Sequence, residues 1–299
     1  MTREYTAKLP AETWVFLIAG GVLVAVFMLS AGTGAESAWV LPLALAVAIF
    51  GLPHGGLDPL VARRAGLWRG WLGFAAFHFG YLALAAAIFG AWYLAPGVSL
   101  ALFLGYSAWH FGGDWRAHLG PWARFLIGMG VLALPAWLWP SEVERIFALL
   151  SGASGVAIAE VLRRIGPLLA VVMLAAGITG RQRFSTTTLE LAALVALAWL
   201  LPPLIYFAVY FCCLHSLRHL RWACDAMRLR RGLQMLAVTA GYTVLTLLIA
   251  AVAWFWLSTS MVQAVHWEDK LLWLLFVGLA CLTVPHMLIV GYAEQSKNG

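Results

Sequence analysis

Long apolar runs alternate with short polar breaks along the whole chain. The runs fall near 14–30, 38–53, 71–93, 98–114, 122–139, 165–179, 188–201, 204–220, 233–257 and 271–291. A helix needs about 20 apolar residues to cross a bilayer, with a working range near 17–25. Lipid offers the backbone no hydrogen-bond partners, so each run must satisfy its own amides and carbonyls as a helix. The pattern predicts an all-α fold, a polytopic transmembrane helical bundle of about ten spans, or eight if two runs do not cross. Pro202-Pro203 parts the short seventh run from the eighth and predicts a turn there. The stretch 140–164 carries "PSEVERIF" and predicts an interfacial helix or loop. No polar stretch is long enough to fold apart, so residues 1–299 read as one integral membrane domain.

Composition supports this and excludes other classes. The chain is 63% hydrophobic and only 11% charged, against about 25% charged in a soluble domain. Its net charge of +6 sits in short breaks between runs, so it speaks of topology and not of nucleic acid. With the N-terminus inside and ten spans alternating, 15 of the 19 Lys and Arg fall on the cytoplasmic face. That asymmetry predicts a multi-pass protein of the cell (inner) membrane with both termini cytoplasmic. The first run reads as a retained anchor. Arg218 and Arg221, at a membrane edge, read as headgroup anchors. Cys212, Cys213, Cys224 and Cys281 form no metal-type spacing and read as reduced thiols.

The histidines change the picture. His54, His78, His110, His215, His219 and His286 all fall in the cytoplasmic half of the ten-span arrangement, on five different helices. Polar groups in lipid are costly and mark function or pair with one another. His215 and His219 lie four apart in "HSLRH" and share a helix face. Asp58 and Asp114 each follow a histidine by four residues and are placed to orient ligating imidazoles. Neutral imidazoles suit iron, copper or zinc. A transporter with acids along its path, or a b-type haem electron carrier with two axial histidines, are the other classes this pattern leaves open.

The segments "GLPHGGLDPL" at 51–60, "WHFGGD" at 109–114, "HSLRH" at 215–219 and "VPHM" at 284–287 resemble the Brp/Blh-like family of microbial membrane β-carotene 15,15′-dioxygenases. The resemblance implies a multipass enzyme that uses Fe(2+) and O2 to split β-carotene, or a related carotenoid, at its central double bond into two retinal molecules. It assigns iron to His54, His110, His215 and His219. His286 matches a further family histidine, behind the ligands or on the substrate side. The carotenoid is expected to enter from the membrane lipid, which spares it about 25 cal/mol per Å² of apolar area in water. Tyr106, Trp109, Phe111, Tyr206, Phe207 and Tyr210, with Phe103, lie near the motifs and are expected to line its path.

Overall fold

A computed structural model describes residues 9–30, 36–116, 119–179, 186–226, 233–260 and 266–298. Arg3, Lys8, His118, Arg181, Arg183, Arg228, Arg230 and Arg231 lie outside the described residues. Every regular element among the described residues is helical, as expected. In chain order these are α1 (Ala11–Leu29), α2 (Val40–Arg64), α3 (Gly70–Leu94), α4 (Pro96–Gly112), α5 (Pro121–Leu138) and α6 (Pro140–Ser151). They continue with α7 (Ala153–Thr179), α8 (Thr186–Leu200), α9 (203–226), α10 (Leu233–Ser260) and α11 (Trp267–Asn298).

The span count of ten is corrected. Among the described residues, seven helices (α1, α2, α3, α5, α7, α10 and α11) are long and apolar enough to cross a membrane. The other three expected spans fall short for local reasons. Helix α4 starts at Pro96 and ends at the Gly112-Gly113 pair after 17 residues. Helix α8 has 15 residues, because Pro202-Pro203 breaks the chain after it as expected. Helix α9 turns polar in its second half, at Arg218, Arg221 and Asp225.

The stretch 140–164 also divides differently. Helix α6 turns Val143, Ile146 and Leu150 inward and Glu144 and Arg145 outward. Gly152 then takes φ +61, a backbone state glycine adopts without strain. From Ala153 the chain is already helix α7, so this span starts well before residue 165.

The tightest packing joins α4, α5 and α7. A side chain on Gly128 would run into the Ala108 carbonyl, and one on Gly112 into that of Arg124. These two glycines let α4 and α5 approach closely, as small residues do between membrane helices. Large apolar side chains such as Trp71, Phe79, Val252 and Phe255 are left exposed on the outside of α3 and α10. A soluble surface rarely carries so much apolar area, but a lipid-facing one does.

Two helices depart from α geometry where the chemistry is concentrated. Helix α2 passes through a π-helical turn at Val47–Gly51, just before Pro53 and His54. Helix α9 passes through another at Val209–His215. π turns are rare and often mark functional sites. The two turns pack together: a Cβ on Gly51 would lie 2.6 Å from the Phe211 ring.

Candidate metal centre

Five of the six histidines grouped from sequence converge at one end of the bundle. His54 comes from α2, His110 from α4, His215 and His219 from α9, and His286 from α11. The His54 ring centre lies 5.6 Å from that of His215, 5.5 Å from His219 and 5.1 Å from His286. The His110 ring lies 4.7 Å from His215 and 5.3 Å from His286. His54, His110 and His286 each offer one nitrogen within 4.8 Å of the others, a spacing that can hold a metal ion. His110 Nε2 and His215 Nε2 are 3.1 Å apart. His215 and His286 are buried, and the other three are partly buried.

Hydrogen bonds fix the orientation of three of these rings. A carbonyl or carboxylate oxygen can only accept, so the nitrogen facing it carries the proton. His54 Nδ1 donates to the Gly51 carbonyl, which the π turn presents to it, and the Ser216 hydroxyl lies 3.3 Å from the same nitrogen. His215 Nδ1 faces both oxygens of Asp114 at 3.2 Å. His286 Nδ1 donates to Asp58 Oδ1 at 2.7 Å. In each ring the lone pair is therefore left on Nε2, the nitrogen available to a metal.

The carboxylates do not serve the histidines that precede them in sequence. Asp58 reaches across to His286 and Asp114 to His215, because α2 bends at Gly56-Leu57 and α4 gives way to a 3-10 turn at Gly113–Trp115. Each carboxylate has a tyrosine behind it. Tyr81 donates to Asp58 at 3.1 Å and Tyr210 to Asp114 at 2.8 Å. Neither tyrosine role was legible in sequence; Tyr210 stood only as a candidate for the substrate path.

His78 stays outside the cluster. Its Nδ1 faces the Phe74 carbonyl at 2.7 Å and its Nε2 the Tyr242 hydroxyl at 2.8 Å. Arg218 turns inward, whereas Arg221 stays exposed and pairs with a buried carboxylate. Arg218 binds Glu190 at 2.6 Å and the Asp114 carbonyl at 3.1 Å, and Arg221 binds Glu12 at 2.7 Å. Glu190 also accepts from Thr13 at 2.6 Å and from Trp115 Nε1 at 3.0 Å.

A cavity of about 800 Å³ opens from the histidine cluster into the bundle. Its volume falls within the range of about 300–1,000 Å³ common to small-molecule sites. His54, His110 and His286 line one end, and Trp256 and Trp273 the other. Phe103, Phe111, Tyr206, Phe207 and Tyr210 line it. Tyr106 and Trp109 do not. On α4 the cavity face is Leu100, Phe103, Leu104, Ser107, His110 and Phe111, and the helical phase turns the other two away, Trp109 to half exposure. No disulfide joins the four cysteines.

The fold and this site define a class: an all-α, multi-pass membrane protein with imidazoles gathered at the end of a deep apolar cavity. The family model described as "Beta-carotene 15,15'-dioxygenase" matches residues 45–293, and the chain belongs to that family. It is 32% identical over 270 residues to the "Beta-carotene 15,15'-dioxygenase" of uncultured marine bacterium 66A03, an alignment covering 83% of this chain and 92% of that one. It is 27% identical over 326 residues to the "Probable beta-carotene 15,15'-dioxygenase Blh" of Halobacterium salinarum, covering 93% of this chain and 92% of that one. No solved structure matches the chain significantly.

Proposed function

We propose that this protein is an iron-dependent membrane dioxygenase. It cleaves β-carotene, or a closely related carotenoid, at the central 15,15′ double bond with O2 to give two molecules of retinal. The observation that carries the reading is the cluster of imidazoles at the end of an apolar cavity, in a chain of this family.

The residues present fit a metal. His110 Nε2 and His215 Nε2 lie 3.1 Å apart. Two nitrogens bonded at right angles to one ion, each at about 2.1 Å, would lie about 3 Å apart. With the His215 proton held on Nδ1 by Asp114, its Nε2 offers a lone pair there. His54, His110, His215 and His219 are the ligands we assign. All-imidazole ligation leaves the charge of a divalent ion intact. Among the metals that accept imidazole, dioxygen activation calls for a redox-active one, iron or copper, and the family resemblance implies iron. Bound iron would supply the activation of dioxygen.

The protein's own residues do the rest. The cavity follows α11 from Trp273 to His286, about 20 Å at 1.5 Å per residue, a slot suited to a rod-shaped apolar molecule. Phe103, Phe207 and Phe211 along its walls hold the polyene and exclude water, so that binding fixes which bond meets the histidines. Asp58 and Asp114 hold imidazole protons in place and transfer none. The reaction balances without another reductant: the carbon–carbon double bond and the O–O bond break, two C=O bonds form, and dioxygen accepts the electrons that carbon loses.

A haem fits poorly. Two axial nitrogens at about 2 Å on opposite sides of an iron would be about 4 Å apart. The His110–His215 pair is closer than that.

Topology belongs to the same reading. Residues 1–299 form one membrane domain of the inner membrane, with α6, inside 140–164, lying at the interface. Arg116 pairs with Glu294 and Arg221 with Glu12, which brings the start of α1 and the end of α11 to the histidine end. A chain that returns to the end it starts from makes an even number of passes, so at least one of the shorter helices α4, α8 and α9 adds to the seven long ones; with the distribution of Lys and Arg this supports cytoplasmic termini and a cytoplasm-side metal centre.

The test is expression in cells that make β-carotene, with wild type beside His215→Ala. Wild type should bleach the cells, yield retinal and purify with about one iron per chain. The variant should lose most of the iron and all detectable retinal. Full iron retention in the variant would reject this ligand set, and unchanged carotenoid with no aldehyde under oxygen would reject the substrate.

A further inference from the structure

His286 has no assigned role in the reaction as described so far, yet its ring is buried and closely held. It follows Pro285 inside α11 and is 3% exposed. Its Nδ1 proton is committed to Asp58 at 2.7 Å, and Asp58 is held in turn by Tyr81 at 3.1 Å. The lone pair therefore sits on Nε2. That nitrogen is buried and has no hydrogen-bond partner among the described residues. Leaving a buried acceptor unpaired is costly, so the position calls for something to receive its lone pair.

The surroundings of that nitrogen say what it would receive. The ring lies 4.7 Å from His219, 5.1 Å from His54 and 5.3 Å from His110, centre to centre. A nitrogen of His286 lies within 4.8 Å of one on His54 and one on His110. A histidine that served packing alone would not need a buried carboxylate to fix its proton on the far side of the ring. The same arrangement recurs at His215, where Asp114 takes the Nδ1 proton and Tyr210 backs the carboxylate. The two supported histidines come from different helices, His215 from α9 and His286 from α11.

We infer that His286 is a fifth imidazole ligand of the metal, with Asp58 and Tyr81 as its positioning residues. The inference rests on the proposed reading of the other four histidines. Five imidazoles would leave a six-coordinate ion one further position. The chain would thereby restrict what can approach the metal to a single direction.

The experiment uses the full-length protein in detergent, loaded with Fe(II) for affinity and with Co(II) for its visible spectrum. Wild type is compared with His286→Gly, with His54→Ala as reference. A ligand role predicts at least tenfold weaker iron binding in His286→Gly. It also predicts an altered Co(II) spectrum, and both should be restored by added imidazole entering the vacated space. Wild-type affinity and spectrum in His286→Gly, while His54→Ala loses metal, would overturn the inference and leave the metal centre standing. Weaker binding with an unchanged Co(II) spectrum and no response to imidazole would also overturn it, since that marks a ring acting from behind the ligands. Absence of metal binding by wild type would overturn the proposed function as well. If the glycine variant does not fold, X-ray absorption of the wild-type iron protein decides: five imidazoles support the inference and four reject it.

Discussion

Helix α9 separates two polar clusters of opposite character. One side carries His215 and His219 into the imidazole cluster. The other carries Arg218 and Arg221 into a network with Glu12, Glu190, Thr13 and Trp115. The arginine side is saturated in charge by its own partners: Arg218 contacts Glu190, Glu12 and the Asp114 carbonyl, and Glu12 Oε1, which makes no aligned hydrogen bond, lies 2.7 Å from the Arg221 guanidinium. The histidine side holds its protons with Asp58 and Asp114 but leaves lone pairs turned toward one another, with His286 Nε2 unpaired. A buried polar cluster that completes itself braces a fold. One that stops short by a cation's worth of ligands is built to receive something. The two meet at Asp114, whose carboxylate serves a histidine while its carbonyl serves an arginine.

Breaking the saturated side should cost the most in stability. Arg218→Met leaves Glu190 and part of Glu12 without their cation, and removing one partner of a buried pair costs about 3–5 kcal/mol. Thermal unfolding in detergent should register the loss. The double variant Arg218→Met with Glu190→Gln should recover part of it, because no unpaired carboxylate then remains at Glu190. Iron binding per folded chain should change much less than stability does. A variant that stays stable but sheds its iron would mean that the arginine network belongs to the metal centre.

Asp114→Asn should shift the loss to the other side. The amide keeps a similar shape but can no longer hold the His215 proton with a charged acceptor. Removing such support lowers metal affinity about 10–100-fold. Titration with Fe(II) should show this with little change in unfolding temperature. An unfolding temperature that falls as far as for Arg218→Met would erase the distinction drawn between the two clusters.

Much of the saturated side was hidden in the sequence, and much of the unsaturated side was not. The membrane class and the helical content follow from apolar runs, because lipid allows few alternatives. The grouping of His54, His110, His215, His219 and His286 follows from topology, since charge asymmetry and helix alternation place all five at one depth. His78 shares that depth but faces another neighbour, Tyr242, and depth alone cannot tell the two apart. The carboxylate pairing was not legible: i, i+4 spacing pointed Asp58 to His54 and Asp114 to His110, but both helices lose α geometry within that turn. Glu12, Glu190 and Arg218 are far apart in the chain, and nothing local announces their contact. The count of spans failed for a different reason. Length and apolarity fade gradually at α4, α8 and α9, where prolines, glycines and arginines end the apolar stretch early.

The smallest effect sharpens the contrast within α9 itself. Tyr206 and Tyr210 lie one turn apart, both buried and both lining the cavity. The Tyr210 hydroxyl donates to Asp114 at 2.8 Å, whereas the Tyr206 hydroxyl has no partner among the described residues. Tyr210→Phe removes one hydrogen bond from the carboxylate that holds His215, worth roughly 1 kcal/mol, or about a fivefold loss of iron affinity. Tyr206→Phe removes a hydroxyl that supports nothing, so iron affinity should hold and stability should hold or rise slightly. Equal effects of the two substitutions would show that the carboxylate does not transmit its hydrogen bonds to the metal. A larger loss of turnover than of iron binding in Tyr206→Phe would instead assign that hydroxyl to the bound substrate.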